Sequence, residues 1–111
     1  MKFPKTSRLL NRAQFDRVFK SARKLYSPNL TLLYRANGEA HPRLGMIVSR
    51  KSYPHAVDRN RFKRMARETF RLSAQKMPDI DIVIIAKKKL PALSTTDLGQ
   101  EFEQLWRRLK K

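Results

Sequence analysis

One stretch in the middle of the chain, Ala56 to Arg71 (AVDRNRFKRMARETFR), constrains the fold more than any other. At about 100° per residue, Phe62, Met65, Ala66, Thr69 and Phe70 fall on one side, the spacing of a helix that faces a core. Asn60, Lys63, Arg64, Arg67 and Arg71 fall on the other side. Six cations, Arg59, Arg61, Lys63, Arg64, Arg67 and Arg71, stand against only Asp58 and Glu68. Like charges one turn apart cost a helix about 0.2–0.5 kcal/mol per pair, so helix stability does not account for them. A polyanion partner does. The spacing predicts a start in which Asp58 caps the first N–H groups and Val57 staples to Phe62. Arg59 and Arg61 then sit at the positive end of the helix dipole, where guanidinium groups beside free N–H donors suit a phosphate.

The whole chain leans the same way. Its 111 residues carry 26 Lys+Arg against 9 Asp+Glu, a net charge of +17 and a pI near 11.2. Such a chain attracts nucleic acid strongly. With 41% hydrophobic residues it has enough apolar material for one modest core, and no repeat or linker divides it, so residues 1–111 are expected to form one domain. The longest apolar run, Ile82 to Ala86, is too short to span a bilayer, and the first residues lack the apolar stretch of a secretory signal. The absence of cysteine suits a reducing compartment, and the expected location is cytoplasmic.

Around the basic helix the pattern predicts the order α-β-β-α-β-α. Residues 1–10 form a basic arm. Asn11 with Gln14 marks a capping box, and Leu10 with Phe15 a staple, at the start of a first helix whose apolar side is Phe15, Val18, Phe19 and Ala22. Pro28 ends any helical continuation, and Leu30, Leu32 and Tyr34 alternate with their neighbours as a strand. Asn37-Gly38 signals a turn into a second apolar run from Leu44 to Ser49, so these two strands are expected to pair antiparallel. Pro78-Asp79 breaks the basic helix, and Ile80 to Ala86 is a buried strand. Ser94 or Thr95 caps a last helix with a core stripe of Leu98, Phe102, Leu105, Trp106 and Leu109, followed by Lys110 and Lys111. Helices packed on a small sheet, an α+β fold, follow. If the second and third strands are parallel neighbours, the general rule makes their crossover right-handed.

Catalysis by the protein itself has little support. His41 and His55 lie beside prolines in loops, and no His, carboxylate or hydroxyl set has the spacing of a metal site or of a nucleophile with its base. Asp79 and Asp81, near a strand end, are expected to face solvent. A DNA-binding module is disfavoured because no second helix stands at helix-turn-helix spacing before the basic one. Charge alone fits a ribosomal protein or a general RNA-binding chaperone equally well.

The string Ala56-Val57-Asp58-Arg59-Asn60-Arg61-Phe62-Lys63-Arg64 resembles the signature of the bacterial ribonuclease P protein component: Ala, two free positions, Arg-Asn-Arg, an apolar residue, Lys-Arg. The QFDRVF segment of the first helix, the strand ending at Tyr34, the GMIVSRK run at 45–51 and the IDIVIIAK strand stand in the family's order, so the resemblance covers nearly the whole chain. It implies a small protein that joins a catalytic RNA to remove the 5′ leader of precursor tRNA, with hydrolysis carried by Mg²⁺ held on the RNA. It implies an α+β fold like that of ribosomal protein S5 domain 2, with a left-handed β-α-β crossover in place of the general hand. It assigns Arg59, Asn60, Arg61, Lys63, Arg64, Arg67 and Arg71 to the catalytic RNA. A cleft between the first helix and the sheet, with Phe15, Phe19 and Tyr34 and with Ser49, Arg50 and Lys51 at its basic end, would take the leader. Taken alone, Phe15 and Phe19 have the spacing of plain core residues.

Overall fold

The computed structural model describes residue 8 and residues 11–39, 41–90 and 94–109. Three helices, α1 (Arg12–Ser21), α2 (Ala56–Ser73) and α3 (Thr95–Leu109), and four strands, β1 (Arg23–Tyr26), β2 (Leu30–Ala36), β3 (Arg43–Ile47) and β4 (Ile80–Ala86), follow the order α-β-β-β-α-β-α. The α+β class is as expected, with one strand more. β1 is four residues long and its apolar signal is a single Leu25, too little for periodicity to register.

The sheet order is β1-β2-β4-β3. β2 and β3 therefore do not pair with each other, contrary to the expectation from Asn37-Gly38. Each pairs with β4 instead, β2 antiparallel and β3 parallel. β4 is the most apolar strand, and burial on both faces and both edges requires a central place. Gly38 has φ 69°, as a turn there requires, but the strand that follows it, β3, lies on the far side of β4. β3, α2 and β4 thus form a β-α-β crossover between parallel neighbours.

Alternation along the strands divides the interior in two. Leu30 and Leu32, Ile80, Ile82 and Ile84, and Leu44 face α2 and α3 in the main core. Its centre is aromatic: Phe62 meets Phe102 edge-on at 5.2 Å, Phe70 meets Trp106 edge-on at 5.6 Å, and Phe102 stacks on Trp106 at 6.0 Å. Thr69 belongs to the α2 stripe because its hydroxyl accepts the Trp106 indole N–H at 2.8 Å and donates to the Met65 carbonyl at 2.8 Å. Gly99 lets the two helices approach closely; a Cβ there would stand 3.0 Å from Met65 Cε. On the other face the apolar cluster is smaller, Leu33 and Val83 under Val18 of α1, with the buried Arg43 and Asp81 pair on the same side.

Helix starts were partly legible. The capping box of α1 is formed, with the Asn11 side chain accepting from Gln14 N at 3.0 Å and Gln14 reaching back to Asn11 N at 3.3 Å. Leu10 lies outside the described residues, as do residues 1–7, Lys110 and Lys111. Ser94 caps α3, accepting from Asp97 N at 3.0 Å. α2 departs from the expected start. It begins at Ala56 with His55 as the N-cap residue, so Asp58 is in the first turn and caps nothing, and Val57 is exposed and staples nothing. Pro54 sets this earlier boundary, and Asp58 there complements the helix dipole instead.

Asp81 also departs from expectation. It is fully buried, not solvent-facing, and its carboxylate accepts two guanidinium bonds from Arg43 at 2.8 Å each and one from Asn37 Nδ2 at 3.0 Å. That hydrogen-bonded carboxylate raises the Arg43 pKa above its ordinary value, although burial opposes it. Asp79 remains exposed.

Candidate nucleic-acid interface

The cations of α2 are not equivalent. Arg59 Nη1 donates to the Tyr53 and Pro54 carbonyls at 2.9 Å each, clasping the loop that enters the helix. Its charge remains available, but part of its role is local. Asn60, Arg64 and Arg71 are exposed, while Arg61, Lys63 and Arg67 are half-buried. Lys63 and Arg67 turn toward a cavity of about 160 Å³ at the edge of β3, which they line with Arg8, Phe15, Leu44, Gly45 and Met46. Arg67 Nε is buried there with no hydrogen-bond partner among the described residues. Three cations and no carboxylate give this cavity a positive potential. It joins the cationic face of α2 to the first helix, a link that no sequence spacing announces.

Beyond the cavity lies the thinly covered sheet face. α1 crosses it through Val18, with Phe15 half-buried and Phe19 45% exposed. Strand register places Tyr26, Thr31, Ile85 and Ile47 in one row across all four strands, on the same side as Leu33 and Val83. Tyr26 is 59% and Ile47 38% exposed, so this row is open. At its β3 end the exposed turn with Ser49, Arg50 and Lys51 is held by the Ser49 hydroxyl, which accepts from Lys51 N at 3.2 Å. Lys89 N donates to the Lys51 carbonyl at 2.7 Å, bringing the run Lys87 to Lys89 beside Arg50 and Lys51. These lysines were not among the residues the sequence singled out. Only the parallel pairing of β3 with β4 brings the two basic segments together.

Tyr34 is placed apart from the two phenylalanines. Its position in β2 has the parity of Leu30 and Leu32, so it packs against the main core on the far side of the sheet from Val18. It lines a separate groove of about 380 Å³ with Ser21, Arg23, Arg35, Ala36 and Ile80. The first helix and the sheet therefore gather Phe15 and Phe19, but not Tyr34, on one face.

A cation-rich helix face, beside an open sheet face that bears aromatic and aliphatic side chains, is the arrangement of a small nucleic-acid-binding protein. The ribonuclease P family model matches residues 3–110, and the chain belongs to that family. It is 46% identical over 109 residues to the ribonuclease P protein component of Pseudoalteromonas atlantica, covering 98% of this chain and 91% of that protein. The corresponding Vibrio vulnificus protein is 43% identical over 109 residues, covering 98% and 92%. Among solved structures, the RNase P protein of Staphylococcus aureus superposes with a TM-score of 0.85 at 27% identity, over 95% of this chain and 98% of that one. That of Thermotoga maritima gives 0.79 at 33% identity, over 94% and 98%. Membership implies an RNA partner within an endoribonuclease ribonucleoprotein. Among the described residues, no helix is long and apolar enough to cross a membrane.

Proposed function

We propose that α2 docks the protein on the catalytic RNA of ribonuclease P, while the open face between α1 and the sheet receives the single-stranded 5′ leader of precursor tRNA. The observation that carries this reading is the separation of the two surfaces. Exposed Arg64 and Arg71 with Asn60 form a phosphate-binding face, and Phe15 and Phe19 with Ser49, Arg50 and Lys51 border an apolar one. The cavity with Lys63 and Arg67 lies between them.

In this reading hydrolysis of the phosphodiester belongs to the RNA and to Mg²⁺ bound by it, in the cytoplasm. The buried or bridging carboxylates of the protein have other partners: Asp81 holds Arg43, and Glu101 holds the turn between β1 and β2. The protein's contribution is to place the leader and to neutralise phosphate charge. Tyr34, on the other side of the sheet, would act on the leader from its own groove or through β2.

Cleavage of precursor tRNA at low Mg²⁺ by a bacterial ribonuclease P RNA, with and without this protein, tests the reading. Strong stimulation with a mature 5′ end is expected. No effect on any such RNA would leave general RNA binding as the better account. Arg64→Ala should weaken assembly and lower the salt slope by about one phosphate contact. Arg59→Ala will mix loss of the loop clasp with loss of RNA contact, so Arg64 is the cleaner probe.

A further inference from the structure

The open row on the sheet ends at Tyr26, and nothing in the packing requires an aromatic residue there. Tyr26 is on the outermost strand and 59% exposed, and its ring side faces away from the main core. Its backbone is nevertheless held firmly. Arg108 of α3 donates to the Tyr26 carbonyl at 3.1 Å, and Lys87 Nζ donates to the Ser27 carbonyl at 2.7 Å. Glu101 accepts from the Ser27 hydroxyl, from Asn29 N at 2.9 Å and from Asn29 Nδ2 at 2.8 Å. A strand end held by these bonds thus presents an exposed ring, with the Lys87 ammonium at the carbonyl of the next residue. That is the makeup of a base-stacking platform.

We infer that Tyr26 is the distal stacking residue of the leader-binding face, engaging leader nucleotides far from the cleavage site. The inference rests on the leader reading above and adds a polarity to it. The row runs Ile47, Ile85, Thr31, Tyr26 from the β3 edge to the β1 edge, three strand spacings or about 14 Å. That is the length of about four stacked nucleotides at about 3.4 Å each. α2 borders the β3 edge through the Lys63–Arg67 cavity, so a strand leaving the catalytic RNA meets β3 first and β1 last. Charge favours the same occupant: among the described strand residues on this side, the sole carboxylate is Asp81, which is buried against Arg43. Lys24 and Lys87 flank the row.

The test is binding of precursor tRNAs by the holoenzyme reconstituted with a bacterial ribonuclease P RNA, using leaders of about two, five and ten nucleotides. Tyr26→Ala is expected to weaken binding about fivefold with the longest leader and not with the shortest, and Tyr26→Phe to retain wild-type affinity. Phe19→Ala serves as the reference for the leader reading. If Phe19→Ala weakens binding while Tyr26→Ala has no effect at any length, the assignment of Tyr26 is overturned and the leader reading stands. A loss with Tyr26→Ala that is equal at all lengths would also overturn it, since that marks an effect on assembly. If neither variant responds to leader length, both fall.

Discussion

The two faces of the sheet solve opposite problems. Under α2 and α3 the face is sealed, with Trp106, Phe62 and Phe102 wholly buried and their rings in mutual contact. Under α1 the sealed apolar area shrinks to Val18, Leu33 and Val83, beside the buried Arg43 and Asp81 pair, and the next row is left open to solvent. Burial of large rings supplies most of the stability that a domain of this size can have. Apolar side chains left exposed on the thin face forgo that gain, and their value lies in what they can bind. A sealed face and an open one thus share a single sheet, with β4 contributing to each through alternate residues.

The contrast predicts unequal responses to mutation. Trp106→Ala should cost about 3–5 kcal/mol, read as the loss of unfolding free energy in denaturant, because it leaves a cavity and removes the indole N–H that the Thr69 hydroxyl accepts. A cost under about 1 kcal/mol would show that the thick face is not the main source of stability. Arg43→Ala should approach the same size, about 3–5 kcal/mol, since it strands the Asp81 carboxylate in the interior. It is the exception that sharpens the contrast, a polar anchor on the thin face. Val18→Ala should cost less, about 1.5–2.5 kcal/mol, and should raise hydrogen exchange in α1 before the rest of the protein opens. Uniform exchange across α1 and α2 in that variant would mean the two faces unfold as one unit.

Phe19→Ala should change stability by no more than about 0.5 kcal/mol, because the side chain is nearly half exposed, yet weaken binding of precursors that carry a leader. Tyr53→Phe should have the opposite sign, a gain of up to about 1 kcal/mol. The Tyr53 ring is in the main core against Phe62, and its hydroxyl has no hydrogen-bond partner among the described residues. Burial raises the Tyr53 pKa above its ordinary value of 10.0, so the folded state holds that proton more tightly than the unfolded chain. Stability from this source is fully present below pH 10.0 and falls as pH rises toward the folded pKa. Tyr53→Phe should flatten that alkaline loss in a pH series of thermal unfolding.

Much of this division was legible in the chain. The periodicity of residues 56–71 and 98–109 determined two helices with wide apolar stripes, and the excess of 26 cations over 9 acids pointed to a polyanion. The Arg-Asn-Arg signature carried the family. These are local properties: a helix face is written at fixed spacing, and charge adds regardless of fold. Tertiary structure alone decided the rest. Asn37-Gly38 looks like a hairpin turn, but β4 competes for both strands and separates them. Asp81 looks exposed because its partner Arg43 is 38 residues away. Tyr34 falls on the opposite face from Phe15 and Phe19, and Tyr26 joins Ile47 in one row, because strand parity and register link residues across the sheet. No spacing along one segment encodes which strand will lie beside it, so the open row and the joined basic segments emerge only when the sheet is assembled.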